Sequence, residues 1–173
     1  KINVQVPVVY DVNSIEEDDI QAGLEKGAVH YPGTAVPGQN GNTVLVGHSS
    51  ANIFNSGKYK FAFVLLNKLE VGDTFLINYN GKRFVYKIYN KKIVKPTETS
   101  VLGAADKIAT ATLITCDPPG TNVNRLVLLA EQISPEPDAS IASVSNINNT
   151  DQIAVVPGNS QSLFNRLFGW ITD

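Results

Sequence analysis

The spacing of apolar and polar side chains changes period along this chain, and the changes divide it into elements. Residues 1–10 alternate as far as Gln5, which predicts a strand; Pro7, lacking an N–H for a ladder, places that strand at a sheet edge. Ser14 with Glu17 three positions on reads as a capping box. Ile15, Ile20 and Leu24 then fall on a roughly helical spacing closed by Gly27, so one short amphipathic helix is predicted. Its acidic run, Glu16 to Asp19, sits in the first turn, where carboxylates meet the positive end of the helix dipole; that is a simpler account than a cation site. Beyond the helix the β signals dominate. Thr43 to Val46, Thr74 to Tyr79, Arg83 to Tyr89, Thr110 to Thr115 and Leu126 to Ala130 are short and rich in β-branched or aromatic residues, and Asn80-Gly81 joins two of them as a two-residue hairpin. The stretch Phe61 to Leu69, ending at Gly72-Asp73, predicts a short helix packed on the sheet. Many short strands with few helices imply a mainly β fold, a closed or nearly closed barrel and not a doubly wound α/β sheet.

From Ser134 the composition turns to Pro, Ser, Asn and Asp and the core pattern fades. Three segments follow: a domain over 1–133, a polar linker over 134–160, and a short apolar segment over 161–173 containing Leu163 to Ile171. That last stretch is too short to cross a bilayer by itself. It reads equally as the start of a membrane anchor, a segment docking on the domain or a membrane surface, or an end without fixed structure. With Lys1 first and no Met in the chain, residue 1 is not an initiator, and any targeting segment is expected to have preceded it.

Charge and cysteine content narrow the function classes. Fourteen basic and 16 acidic side chains in 173 residues leave a formal net charge of −2, without the basic footprint that nucleic-acid binding needs. One cysteine excludes an internal disulfide framework and a zinc site built on several Cys. Cys116 lies at a predicted strand end, just before Asp117-Pro118-Pro119-Gly120, which forces the chain out of the sheet. A lone cysteine is often only a small buried hydrophobe, so its company matters. His48 also follows a strand, and a thiol that is mostly protonated at neutral pH needs such a neighbour to act as a nucleophile. A tight return through Pro118-Pro119-Gly120 brings Arg125 back toward the sulfur, where a fixed cation can hold a carbonyl or an oxyanion. The other histidine, His30, reads as structural, beside the turn Tyr31-Pro32-Gly33. Three polar residues at strand ends also occur in inert barrels, so spacing alone leaves a non-catalytic surface β-domain open.

The ordered motifs go further. Asn42-Thr43-Val44-Leu45-Val46-Gly47-His48, then Leu66 and Leu69 before Gly72-Asp73, then Thr112-Leu113-Ile114-Thr115-Cys116 with Arg125 ahead of an apolar strand, closely resemble the sortases, the cysteine transpeptidases of bacterial cell surfaces. The resemblance covers roughly residues 2–133. It implies an eight-stranded sortase-type β-barrel with one or two short helices, and Cys116, His48 and Arg125 as the catalytic residues. By the same analogy Thr115 helps to bind substrate, and no metal or organic cofactor is required. The implied substrate is a sorting-signal peptide of the LPXTG type on a surface protein or pilin, cut between Thr and Gly. The implied acceptor is an amine, either a pilin lysine or a peptidoglycan cross-bridge. The implied place is the extracellular face of the bacterial membrane, with a membrane tether in the full-length protein.

The run from Cys116 to Leu126, Cys-Asp-Pro-Pro-Gly-Thr-Asn-Val-Asn-Arg-Leu, resembles the pilin-polymerising, class C-like sortases, as does His30-Tyr31-Pro32-Gly33-Thr34; their Asp-Pro-aromatic lid anchor is not found from Lys1 onward. Other cysteine acyl-transfer enzymes fit less well. L,D-transpeptidases place His and Cys in one short block, whereas here 68 positions separate them; papain-like endopeptidases place the Cys first and on a helix.

Overall fold

The computed structural model describes residues 1–49, 59, 61–103, 105–143 and 155–158. Over these the chain forms β1 (Val8–Val9), α1 (Glu17–Leu24), β2 (Ala28–His30), β3 (Gly41–Val46), β4 (Thr74–Tyr79), β5 (Lys82–Val94), β6 (Ala109–Asp117) and β7 (Asn124–Ser134), with 3₁₀ turns at Leu66–Lys68 and Thr99–Leu102. The strands make one sheet in the order β1-β2-β3-β6-β7-β5-β4. β1 with β2 and β3 with β6 run parallel; the remaining neighbours are antiparallel. Two register shifts in β5, at Val85/Tyr86 and Ile88/Asn90, bend it along β7 and curl the sheet into a half-barrel.

The fold is mainly β, as expected, with differences in its parts. Seven strands pair among the described residues where the resemblance implied eight. The edge strand is only Val8–Val9, because the Pro7 carbonyl, accepting from the Ala28 N–H at 2.9 Å, is where the pairing with β2 begins. The capping box does not form. Ser14 Oγ accepts from the Glu16 N–H at 3.0 Å, one residue too early, and the helix starts at Glu17 with no side-chain cap. Between Phe61 and Leu69 the chain makes turns and one 3₁₀ segment in place of the short helix. Asn80 and Gly81 both have positive φ, 48° and 74°, the turn that the hairpin between β4 and β5 requires.

β6 is buried from Ala109 to Cys116, so both of its faces are covered. On one side Leu45, Leu113, Leu126 and Leu128 pack against Phe63, Leu66, Leu69, Phe84 and Tyr86. On the other, Val44, Val46, Ile114 and Val127 pack against Ile20 and Leu24 of α1, with Leu102 and Val156. Each fully buried aliphatic side chain contributes about 1.5–3 kcal/mol. One polar cluster is set into this core. Asn42 donates through Nδ2 to the Gly103 carbonyl at 3.0 Å and the Val101 carbonyl at 3.4 Å, and its Oδ1 accepts from Thr110 Oγ1 at 3.1 Å and Thr112 Oγ1 at 2.8 Å. This one amide ties β3, β6 and the 3₁₀ turn after β5.

The stretch expected to be a free linker is partly docked. The Asp138 and Ile141 carbonyls each accept from Asn40 Nδ2 at 2.7 Å, and Val156 is 0% exposed. A single apolar side chain finding a core position leaves no periodic trace in the sequence, so the polar composition around it read as linker. Residues 161–173 lie outside the described residues.

Candidate active site

Cys116 is the penultimate residue of β6, and in the ladder with β7 its partner is Arg125; Asp117 pairs with Asn124 just beyond. Opposed residues of an antiparallel pair put their side chains on the same face, close enough to touch. The return loop closes on the Thr121 N–H and Oγ1, both donating to the Pro118 carbonyl, and Gly120 takes φ 84°. The tight turn read from Pro118-Pro119-Gly120 therefore does bring guanidinium and thiol together.

His48 comes from the other side of β6. β3 runs parallel to β6 with Val46 level with Ile114, and the Gly47 N–H donates to the Ile114 carbonyl at 3.0 Å. His48 lies two residues past the end of β3, as Cys116 lies two residues past Ile114 in β6. Gly47 permits this course, because a Cβ there would lie 2.5 Å from the Phe63 ring. The Phe63 N–H also donates to the His48 carbonyl at 2.8 Å. Thr115, expected to bind substrate, donates its hydroxyl proton to the Gly47 carbonyl at 2.7 Å, and strand alternation places it on the face opposite Cys116. This bond ties β6 to the residue before His48.

Cys116, His48 and Arg125 are all buried, at 2%, 4% and 4% exposure. Burial pushes the Arg125 guanidinium below its usual range, opposed by the Cys116 sulfur and by Glu17. Arg125 is held by backbone carbonyls. Nη1 donates to Asn124 at 3.1 Å and to Asn122 at 3.4 Å, while Nε is shared between Val156 at 3.1 Å and Pro157 at 3.0 Å. Cys116 Sγ lies 3.5 Å from Asn122 Oδ1. A thiol and a guanidinium thus meet at one end of the β6–β7 ladder, with the imidazole of His48 just past the end of the neighbouring strand β3, groups of the kind that acyl transfer uses. The sequence did not single out Asn122, Val156 or Pro157 as neighbours of Cys116 and Arg125. For Asn122 the signal was its place in the run between Cys116 and Arg125; for the others there was none.

His30 stands apart, at the end of β2. Its Nε2 lies 2.9 Å from the Ala35 carbonyl and 3.1 Å from Thr34 Oγ1, and Tyr10 tilts over its ring. Its structural reading agrees with these contacts. Burial outweighs the two hydrogen bonds and lowers its pKa from 6.5, so the unfolded chain binds the proton more readily than the native one. His30 therefore adds stability that is complete above 6.5 and is lost as pH falls through the lowered native value. Urea unfolding across this acid window is expected to show a slope that shrinks in His30→Gln; an unchanged slope assigns it to other groups.

Comparisons with known proteins agree with this geometry. A family model described as "Sortase domain" matches residues 1–133. Sortase D of Bacillus subtilis is 31% identical over 118 residues, covering 68% of this chain and 51% of its own length; sortase SrtE1 of Streptomyces coelicolor is 29% identical over 151 residues, covering 79% and 39%. The chain thus spans about half or less of the curated relatives it matches. Among solved structures, sortase C-1 from Actinomyces oris superposes with a TM-score of 0.62 at 30% identity, covering 75% of this chain and 68% of that one. The pilus-related sortase C of Group B Streptococcus superposes at 0.57 with 33% identity, covering 65% and 56%.

Proposed function

Since the chain belongs to the sortase family, we propose that it is a cysteine transpeptidase that cuts an LPXTG-type sorting signal and passes the threonine carbonyl to an amine. The observation that carries this reading is the pairing of Cys116 with Arg125 across β6 and β7, with His48 two residues past the end of the parallel strand β3. The Cys116 sulfur attacks the threonine carbonyl carbon as its proton passes to His48, forming a C–S bond and an oxyanion that faces the Arg125 guanidinium. Collapse breaks the bond to the glycine nitrogen, which leaves with a proton from His48, and a thioester remains. The acceptor amine attacks this thioester and gives a proton to His48; the C–S bond breaks, the sulfur takes that proton from His48, and a new amide and the free thiol are formed. Balanced in this way, the cycle calls for no metal or organic cofactor.

A pilin lysine or a peptidoglycan cross-bridge supplies the amine, which places the reaction at the outer face of the bacterial membrane. Among the described residues no helix is long and apolar enough to cross a membrane, and a tether in the full-length protein belongs to the proposal. The similarity to a pilus-related sortase C and the class C-like run from Cys116 to Leu126 favour the pilin lysine.

Intact mass after incubation with a library of LPXTG-type peptides and a panel of amines tests the reading. The expected result is an acyl adduct or a peptide–amine product in the wild-type chain and none in Cys116→Ala or His48→Ala. Absence of any adduct, with Cys116 silent to a thiol reagent until denaturation, would instead favour an inert surface domain.

A further inference from the structure

Four residues of the C-terminal region, Val155 to Gly158, are seated on the residues just described. The Val156 N–H donates to the Pro96 carbonyl at 2.6 Å, and the Val156 and Pro157 carbonyls both accept from Arg125 Nε. The Gly158 carbonyl accepts from Gln21 Nε2 of α1 at 2.7 Å. Val156 inserts its side chain among Ile20, Leu24, Leu102 and Val127. Gly158 passes so close that a Cβ there would lie 2.4 Å from Arg125 Nη2 and 2.8 Å from Cys116 Sγ. Backbone groups held one after another by fixed partners, with one side chain in an apolar pocket, is how a cleft binds an extended peptide: the backbone contacts supply affinity and the pocket supplies selectivity.

We propose that Val155 to Gly158 occupies the peptide-binding cleft of this protein as an internal pseudosubstrate, so that Gln21, the Pro96 carbonyl and the Val156 pocket are peptide subsites and the segment must leave before a sorting peptide reaches Cys116. This rests on the transpeptidase reading only for the identity of the competing peptide. Val156-Pro157 repeats the apolar-then-proline order of that peptide's first two residues. The Arg125 N–H that donates to the segment is a donor a substrate would need, so the two occupants exclude one another. A ligand bound in cis reduces apparent affinity in proportion to the fraction of molecules left open.

The test uses the full chain and the rate at which iodoacetamide alkylates Cys116, followed by intact mass. Val156→Asp places an unpaired carboxylate in an apolar pocket and expels the segment. Gly158→Val acts independently, by overlap with Arg125 and Cys116, and leaves the pocket residue unaltered. Both variants are expected to alkylate about tenfold faster or more than wild type, reflecting a shift to the open population. An added peptide of residues 153–160 should slow them again. Equal rates in wild type and both variants overturn the proposal, as do faster variants that the added peptide fails to slow. If thermal unfolding shows Val156→Asp to be unfolded, Gly158→Val decides alone. Faster alkylation reversed by the peptide, with no acylation by any sorting peptide, keeps the pseudosubstrate and removes the transpeptidase reading, so the two fail separately.

Discussion

Arg125→Ala is expected to lower the rate at which a sorting-signal peptide acylates Cys116 by about 10²-fold or more, the loss typical of removing one oxyanion donor from a water-poor site. The expectation follows from how the guanidinium is held. Backbone carbonyls of Asn122 and Asn124 fix one nitrogen, and the ladder fixes the Cα opposite Cys116. The charge is therefore already aimed when an oxyanion forms. Arg125→Lys should recover little of the loss, because a single ammonium cannot match those carbonyls and the oxyanion together. Single-turnover acylation followed by intact mass measures both variants. An unchanged rate in Arg125→Ala would take the residue out of the mechanism and leave it a structural cation.

The largest effect on stability is expected at Asn42. It is 1% exposed, and both ends of its amide are engaged. Alanine at this position deprives two carbonyls and two hydroxyls of a partner in the core, and each buried group left unpaired costs about 1–3 kcal/mol. Because Thr110 Oγ1 also reaches the Gly41 carbonyl at 3.3 Å, part of the loss is recovered. The net expectation for Asn42→Ala is about 3 kcal/mol, a fall in Tm of roughly 6–12 °C for a chain of this size. A fall of less than about 2 °C would mean that the cluster closes over the gap and that its hydrogen bonds add little net stability.

What could be read from the sequence, and what could not, divides along physical lines. Strands β3, β4, β6 and β7 were legible because β-branched and aromatic residues are concentrated between turn signals, and the Asn80-Gly81 turn specified its hairpin unaided. β2 was not, since Ala28–His30 is three residues long and too short for any period to show. β5 runs to Val94, past the point where Asn90, Lys91 and Lys92 interrupt the apolar pattern; pairing with β7 carries it through. At the site, Cys116 and Arg125 were legible as a pair because a short Pro-Gly return allows only one neighbourhood for them. His48 was placed by motif order, and the parallel register of β3 on β6 accounts for its position. The docked Val156 was not legible, because one apolar residue in a polar stretch has the same signature whether it is buried or free.

The burial of β6 on both faces has a consequence for fidelity of assembly. Along one face run Ala109, Ala111, Leu113 and Thr115, and along the other Thr110, Thr112, Ile114 and Cys116. The second set carries two hydroxyls and the thiol against one hydroxyl in the first, yet both faces are covered, so burial separates the native alignment from one shifted by a single residue less sharply than in a strand with one face in water. Such a shift would present the Thr115 hydroxyl where the thiol belongs and leave a folded but chemically dead barrel. Discrimination falls instead to a few polar contacts that only the native alignment satisfies: the Asn42 amide with Thr110 and Thr112, and the Thr115 hydroxyl on Gly47. None of those side chains is Cys116, His48 or Arg125, yet together they fix which side chain of β6 stands opposite Arg125.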